Sequence, residues 1–184
     1  SPRQIDQPMA QGLIDFGRAG QMATITPFCL MGAMAPVTVA GALTLQHVEA
    51  LAGIVLAQLV RPGAPVVYGA FASNVDMKSG APAFGGPAQI QAAIGSGQLA
   101  RHIGLPWRSA AGAASNAADG QGAQETAMAL WGAVLGGATI TLHAAGWLEG
   151  GLSFGFEKFI VDMEAVHTIA SLASAPASDD AAIG

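Results

Sequence analysis

The feature that most constrains this chain is an alternation of short apolar runs with longer segments of helical spacing. Four short runs lie at residues 22–30, 65–71, 106–111 and 138–144. A helical segment follows each run, at about 43–60, 87–103, 122–135 and 156–173. Continuous apolar runs are typical of parallel strands that are covered on both faces, because such strands have no solvent-facing side. The alternation therefore predicts an α/β fold built from four βα units.

The length of each unit favours one kind of α/β fold. Successive runs are about 40 residues apart, close to the length of one unit of a TIM (β/α)8 barrel. Four units are half of such a barrel, and a half barrel leaves two unpaired strand edges and one bare sheet face. A fragment of a longer polypeptide, an assembly of two copies and an open, doubly wound sheet all remain possible. We favour the fragment, and we expect a homo-oligomer in which another subunit covers the open edges.

The composition excludes several classes of protein. Only 10% of the 184 residues are charged, and the net charge is -5. We expect no nucleic-acid partner, because the chain has no basic surface for phosphate groups. The single cysteine, Cys29, excludes a disulfide framework and a multi-cysteine zinc site. No spacing of His, Asp and Glu predicts a metal site.

The mean hydropathy of +0.46 raises the question of a membrane span. The apolar stretch 50–60 is interrupted by Gln58 and ends at Arg61. It is shorter than the roughly 20 apolar residues that a transmembrane helix needs. The sequence also has no basic segment that leads into an apolar signal region. We therefore expect no membrane partner and a cytoplasmic location.

The loops at the two ends of the predicted strands differ in length and chemistry. Loops before strands are short, at 61–64, 104–106 and 136–138. Loops after strands are long and rich in glycine and polar residues, at 31–41, 72–88, 111–123 and 145–155. Ligand sites in parallel α/β folds form at the carboxyl ends of the strands. The sequence therefore predicts an enzyme or a ligand-binding protein whose site lies on the long loops.

Several of these segments resemble one family. They are residues 32–71, SNVDMKSGAPAFGGP at 73–87, LARHIGLP at 99–106, HAAGWLEGGLSFGFEKFIVD at 143–162, and a D-x-Q-x-x-x-E element of Asp119, Gln121 and Glu125. Together they are similar to the trimethylamine methyltransferase family of corrinoid-dependent enzymes. The resemblance implies a TIM barrel, with residues 1–173 as the C-terminal half of that domain. Residues 174–184 are small, polar and acidic, and we expect a flexible tail there.

The same resemblance implies a reaction and its partners. A methyl group would move from a methylated amine to the cobalt of a corrinoid (cobalamin) on a separate carrier protein, with no cofactor bound covalently to this chain. The founding members of the family use pyrrolysine to capture the methylamine, whereas the corresponding stretch here, SNAAD at 115–119, contains only standard residues. The implied substrate is therefore a quaternary amine such as a betaine, and trimethylamine should be a poor substrate.

Candidate site residues follow from the chemistry of such a substrate. A quaternary ammonium carries a permanent positive charge and no N–H, so its site needs aromatic faces and carboxylates. We expect His143, at the end of the fourth strand, to be the catalytic residue that positions the reacting methyl. The expected substrate-binding residues lie on the post-strand loops: Asn74, Asp76, Asp119, Trp147, Glu149 and Phe154.

Other interpretations of these residues stay open. Asp76 could pair with Lys78, Asn74 could cap a turn, and Asp119 could cap the helix that follows it. Trp147 and Phe154 could be core residues. At the level of the whole chain, the alternatives are a non-catalytic or inactive barrel fragment that binds a small cationic ligand or assembles with other chains, and a different enzyme on the same fold.

Overall fold

The structure is a computed structural model that describes residues 2–178. The expected acidic tail falls partly outside this range. Its first residues, 174–178, are exposed and have no regular secondary structure, and residues 179–184 lie outside the described residues.

Within the described residues, segments of one or more short strands alternate with helices. The order is α1 (Gln7–Ala19), β1 (Ala23–Ile25), β2 (Phe28–Met31), α2 (Val39–Val60), β3 (Val66–Gly69), β4 (Phe71–Asn74), α3 (Pro87–His102), β5 (Trp107–Ala110), α4 (Gly120–Leu135), β6 (Ile140–Leu142), β7 (Trp147–Leu148), a 3-10 turn (Glu149–Gly151), β8 (Ser153–Phe154) and α5 (Phe156–Ala173).

Four strands form a parallel sheet in the order β1-β3-β5-β6. Each pair of neighbours is parallel, and a helix connects each strand to the next. The order never reverses, whereas a doubly wound sheet changes direction at a switch point. The prediction of four parallel strands, each followed by a helix, is confirmed, and the described sheet is singly wound.

The first two strands of this sheet are interrupted. β1 is followed by β2, and β3 is followed by β4, and the second members pair in parallel with Phe28 opposite Phe71. Pro27 lies between β1 and β2, and a proline has no N–H to donate to the ladder. The predicted run 22–30 therefore contains β1 and most of β2, and the predicted run 65–71 contains β3 and the first residue of β4.

Two predicted boundaries and one predicted loop differ from the structure. α2 begins at Val39 because the Thr38 hydroxyl caps it and accepts the Gly41 N–H at 3.2 Å. α4 begins at Gly120 for the same kind of reason, with Asp119 as its cap. The predicted loop 145–155 contains the antiparallel β7–β8 hairpin. Strands of two residues are too short to leave an alternating pattern in the sequence.

The α2 helix is the one described helix that is long and apolar enough to cross a membrane, by length and composition only. The apolar stretch 50–60 was too short to predict a helix of membrane-spanning length, because it is only the second half of α2, which begins at Val39. α2 packs on the sheet, and its buried Gln46 side chain donates to the Ser96 hydroxyl of α3 at 2.8 Å. A helix that packs against its own protein passes the same test, so this property is weak evidence for a membrane span.

Small residues let the helices approach the sheet and one another closely. The buried residues of α2 are Ala42, Gln46, Ala50, Gly53 and Ala57. A Cβ atom at Gly53 would contact the Ile25 side chain of β1. Between α3 and α4 the contact is backbone to backbone, because a Cβ atom at Gly97 would overlap the Gly136 carbonyl group. The helix layer therefore depends on residues without large side chains.

This contact generates a stability prediction. Gly97→Ala should lower the free energy of unfolding by roughly 1–3 kcal/mol, because the added methyl group has no space beside the Gly136 carbonyl. Gly12→Ala is a matched control in α1, where a Cβ atom would have no neighbour within 4 Å. That control should gain up to about 1 kcal/mol from helix propensity alone. Urea unfolding measures both, and equal changes in the two variants would contradict the close contact.

Candidate functional site

Five rings form a continuous cluster at the carboxyl ends of the strands. The members of this aromatic cluster are Phe28, Phe71, Phe84, His143 and Trp147. Phe71 is central, with ring centroids 5.3 Å from Phe28, 4.9 Å from Phe84 and 6.0 Å from His143. The His143 and Trp147 centroids are 4.0 Å apart, and Trp147 lies edge-on to Phe84 at 6.2 Å.

The aromatic cluster lies on the sheet face that points away from the helices. Tyr68 and Trp107 pack against helix residues, including Ala50 and Ala100. Side chains alternate along a strand, so the next pair in register, Gly69 and Arg108, must face the opposite side. Phe71 is two residues beyond Gly69 and shares that side. We refer to this side as the open face.

Arg108 is the most unusual residue of the open face. Its side chain is 6% exposed, and its Nε and Nη1 atoms have no hydrogen-bond partner among the residues that the structure describes. Burial lowers the pKa of Arg108, yet a guanidinium keeps its charge because its ordinary pKa is so high. A buried, unpaired cation is costly in free energy. This site is therefore suited to an anionic group.

Two further polar atoms of the aromatic cluster are buried without a partner in residues 2–178. They are the Nδ1 atom of His143 and the Nε1 atom of Trp147. His143 also has a left-handed backbone, with φ of 58°, which is uncommon for a residue other than glycine. Burial, and secondarily the positive charge of Arg108, lower the pKa of His143, so its imidazole is neutral at pH 7. The His143 ring can therefore contact a cation without charge repulsion.

The carboxylates predicted to bind substrate have other partners. Asp119 caps α4 and accepts the Gly122 N–H at 2.9 Å, and this bond is the main reason its pKa is lowered. Asp76 accepts the Ser79 hydroxyl at 2.6 Å, which lowers its pKa, and also the Lys78 backbone N–H at 3.2 Å. The Asp76 carboxylate thus closes a turn, and the Lys78 backbone rather than its ammonium group is the recorded partner.

The remaining predicted residues also follow strands, but they lie outside the aromatic cluster. Asn74 ends β4 and is half-buried. Glu149 is exposed, has φ of 53°, and donates its backbone N–H to the Ser115 carbonyl at 2.9 Å. The ring of Phe154 contacts Phe156 and Phe159 of α5. Of the predicted site residues, the structure brings His143 and Trp147 into contact.

Sequence reasoning missed four residues of the open face. Phe28, Phe71 and Arg108 lie inside predicted strands, where they counted as core, and Phe84 lies in the loop before α3. One signal could have identified Arg108: it is the only charged residue in the apolar run 105–111. A charge in a buried strand needs a partner, and that partner is often a ligand.

Hydrogen bonds connect the loops next to the aromatic cluster to each other. The Glu125 carboxylate accepts the Ala114 and Ser115 N–H groups at 2.8 and 2.9 Å. The Ser115 and Ala113 carbonyls accept the N–H groups of Glu149 and Gly150 in turn. The loop after β5 therefore holds the segment that follows Trp147.

Among the described residues, no group of three or more His, Cys, Asp and Glu side chains could hold a metal ion.

Comparison with known proteins gives one consistent result. The whole chain, residues 1–184, matches the family model described as trimethylamine methyltransferase. It is 39% identical over 165 residues to the glycine betaine methyltransferase of Desulfitobacterium hafniense (strain Y51). That alignment covers 89% of this chain and 34% of the relative. It is 33% identical over 183 residues to trimethylamine methyltransferase MttB1 of Methanosarcina mazei, covering 98% of this chain and 37% of that protein. Trimethylamine methyltransferase MttB2 of the same organism is 35% identical over 173 residues, covering 92% and 34%. The chain thus spans about a third of the length of these relatives.

The electrostatic link between Arg108 and His143 can be measured directly. Arg108→Gln should raise the pKa of His143, because it removes a nearby positive charge, but burial should still keep that pKa below its ordinary value. NMR titration of the imidazole ring gives the pKa, with His143→Gln to assign the resonance. Arg18→Gln removes the same charge from the exposed side of α1 and serves as the control. An equal effect of the two arginine variants would contradict the link.

Proposed function

The chain belongs to the trimethylamine methyltransferase family, and we propose that it is part of a methyltransferase that takes a methyl group from a betaine. A betaine is a quaternary amine that also carries a carboxylate. The observation that carries this proposal is the buried guanidinium of Arg108 beside the aromatic cluster, whose Nε and Nη1 atoms have no hydrogen-bond partner among the described residues. The two parts of the site match the two charges of the substrate.

The aromatic cluster suits the cationic end of a betaine. A trimethylammonium group has no N–H donor and is attracted to the faces of aromatic rings. Phe71, Phe84 and Trp147 offer such faces, and Trp147 meets both phenyl rings edge-on. Neutral His143 adds a fourth surface against which a methyl group can lie. In this proposal, His143 positions the reacting methyl and Trp147 binds the cation.

Arg108 suits the carboxylate end of the substrate. A guanidinium binds a carboxylate with two parallel hydrogen bonds, and such charge-assisted bonds are stronger than neutral ones. The Nε1–H of Trp147 is a further buried donor on the same face. Protonated trimethylamine and tetramethylammonium have no carboxylate to accept these hydrogen bonds, and the charge of Arg108 disfavours a simple cation. The open face therefore favours a zwitterion.

The proposal includes an acceptor for the methyl group and a larger fold. A corrinoid on a carrier protein would supply the nucleophilic cobalt that receives the methyl. The exposed apolar residues Leu152, Phe154 and Phe156, next to the β7–β8 hairpin, fit a surface that a second protein covers. The sequential strand order fits part of a TIM barrel, completed by the rest of a protein as long as the relatives. This chain's own contribution is to orient the substrate.

A set of three ligands separates the two halves of the site. Glycine betaine has both charges, tetramethylammonium has only the cation, and 3,3-dimethylbutanoate has the carboxylate with carbon in place of nitrogen. In the protein that carries this chain, Arg108→Gln should weaken binding of the two carboxylates roughly 10–100-fold and leave tetramethylammonium unweakened. Trp147→Leu should weaken the two cations about 3–30-fold, with a smaller effect on 3,3-dimethylbutanoate. Calorimetry measures all nine affinities.

One control variant and three contradicting outcomes test this proposal. Arg18→Gln lowers the net charge by the same amount and should change none of the three affinities. Equal weakening of all ligands by Arg108→Gln would mean that this arginine supports the fold, and the betaine assignment would fail. Betaine binding without methyl transfer to cob(I)alamin, followed by absorbance, would favour a non-catalytic binding protein. Faster turnover of trimethylamine than of betaine would also overturn the substrate class.

A further inference from the structure

A fully buried ion pair lies behind the loop that carries His143 and Trp147. Lys158 and Asp162 are one turn apart on α5, and their side chains are 0% and 1% exposed. The Lys158 ammonium contacts the Asp162 carboxylate and donates to the Thr126 hydroxyl of α4 at 2.7 Å. The pair thus connects α5 to α4.

The second carboxylate oxygen of Asp162 reaches the candidate site through the backbone. It accepts the N–H of Gly146 at 2.9 Å. Gly146 has φ of 80° and directly precedes Trp147, and a Cβ atom at this position would overlap the ring of Phe154. The hydrogen bond therefore fixes a backbone position that only glycine can occupy without strain.

We propose that the Lys158–Asp162 pair is a positioning device that sets the orientation of Trp147 against His143. This proposal rests on the proposed function, because it gives the orientation of Trp147 a purpose. Trp147 lies between two anchors: Asp162 holds Gly146 on one side, and the Ser115 and Ala113 carbonyls hold residues 149 and 150 on the other. Lys158 holds the Asp162 side chain in place, with its second oxygen aimed at the Gly146 N–H.

Energetics favour positioning over simple stabilisation. A buried ion pair gains little net stability, since the cost of removing both charges from water offsets their attraction. Apolar residues of similar volume can often replace such a pair without loss of stability. Apolar residues, however, provide no acceptor for the Gly146 N–H. The Asp162 carboxylate is therefore needed for geometry rather than for the stability of α5.

Two double variants isolate this one hydrogen bond. Lys158→Met with Asp162→Asn removes both charges but keeps an oxygen that can accept the Gly146 N–H. Lys158→Met with Asp162→Leu removes the charges and the acceptor. Both variants lose the Thr126 contact equally. Each double variant leaves the net charge unchanged, and Glu164→Gln, at an exposed carboxylate on the same helix, controls for the loss of a carboxylate elsewhere on α5.

The readout is the environment of one tryptophan. Fluorine NMR of protein labelled with 5-fluorotryptophan resolves Trp107, Trp131 and Trp147, and Trp147→Phe assigns the last signal. The Leu variant should shift the Trp147 resonance and lower the methyl-transfer rate roughly 10–100-fold. The Asn variant should keep both close to wild type. If the two double variants give the same Trp147 resonance, whether or not it differs from that of the wild type, the proposal is overturned.

A measurement on the unmodified protein covers the case in which both variants fail to fold. Amide exchange of Gly146 should be much slower than that of Gly120, an exposed glycine in the first turn of α4. Equally fast exchange at both glycines would overturn the proposal. The fluorine spectrum is recorded without substrate. If the Trp147 resonance shifts as expected but the protein does not bind betaine, the proposed function is refuted and the positioning role of the ion pair stands.

Discussion

Close contact between the helices and one face of the sheet is the constraint on which the rest of this structure depends. Alanine and glycine line that contact, from Ala42 and Gly53 in α2 to Ala100 in α3. Side chains alternate along each strand, so the residues next to Tyr68 and Trp107, which pack against the helices, are directed to the other face. The open face therefore receives Phe28, Phe71 and Arg108, and the aromatic cluster is a consequence of how the helices pack.

The electrostatics of the open face follow from the same geometry. The charge of Arg108 is buried in a strand where the described residues provide no carboxylate partner. Its positive charge adds to the effect of burial and keeps His143 neutral. Aromatic rings that attract a cation and a guanidinium that attracts an anion thus occupy one surface. This combination distinguishes a zwitterionic ligand from a simple amine, and it is the physical basis of the betaine proposal.

Precise loop placement comes from side chains that bind backbone N–H groups. Glu125 holds residues 114 and 115, Asp119 caps α4, and Asp162 holds Gly146. None of these carboxylates belongs to the aromatic cluster, yet each determines where a neighbouring loop lies. These three acidic residues, on α4, on α5 and just before α4, act on the backbone. Arg108 and the aromatic cluster remain available for a ligand.

The sequence by itself determined the local elements and their order. Apolar runs and helical spacing predicted four parallel strands with helices between them, because both signals depend on residues close together in the chain. The same reasoning predicted that Asp119 could cap a helix, that His143 ends the fourth strand and that Trp147 lies on the loop after it. The family resemblance, carried by several loops, is likewise a property of the sequence and was confirmed by the comparisons.

Only the tertiary structure decided which strand residues face the helices and which face the site. Phe71 is indistinguishable from a core residue in the sequence, because a strand covered on both faces leaves no alternating pattern. The charge of Arg108 makes it stand out in its apolar run, but the sequence does not show which face it occupies. The roles of Lys158 and Asp162 were hidden for a related reason: their partners, Thr126 and Gly146, are distant in the chain. Long-range contacts of this kind arise from packing, and no local pattern records them.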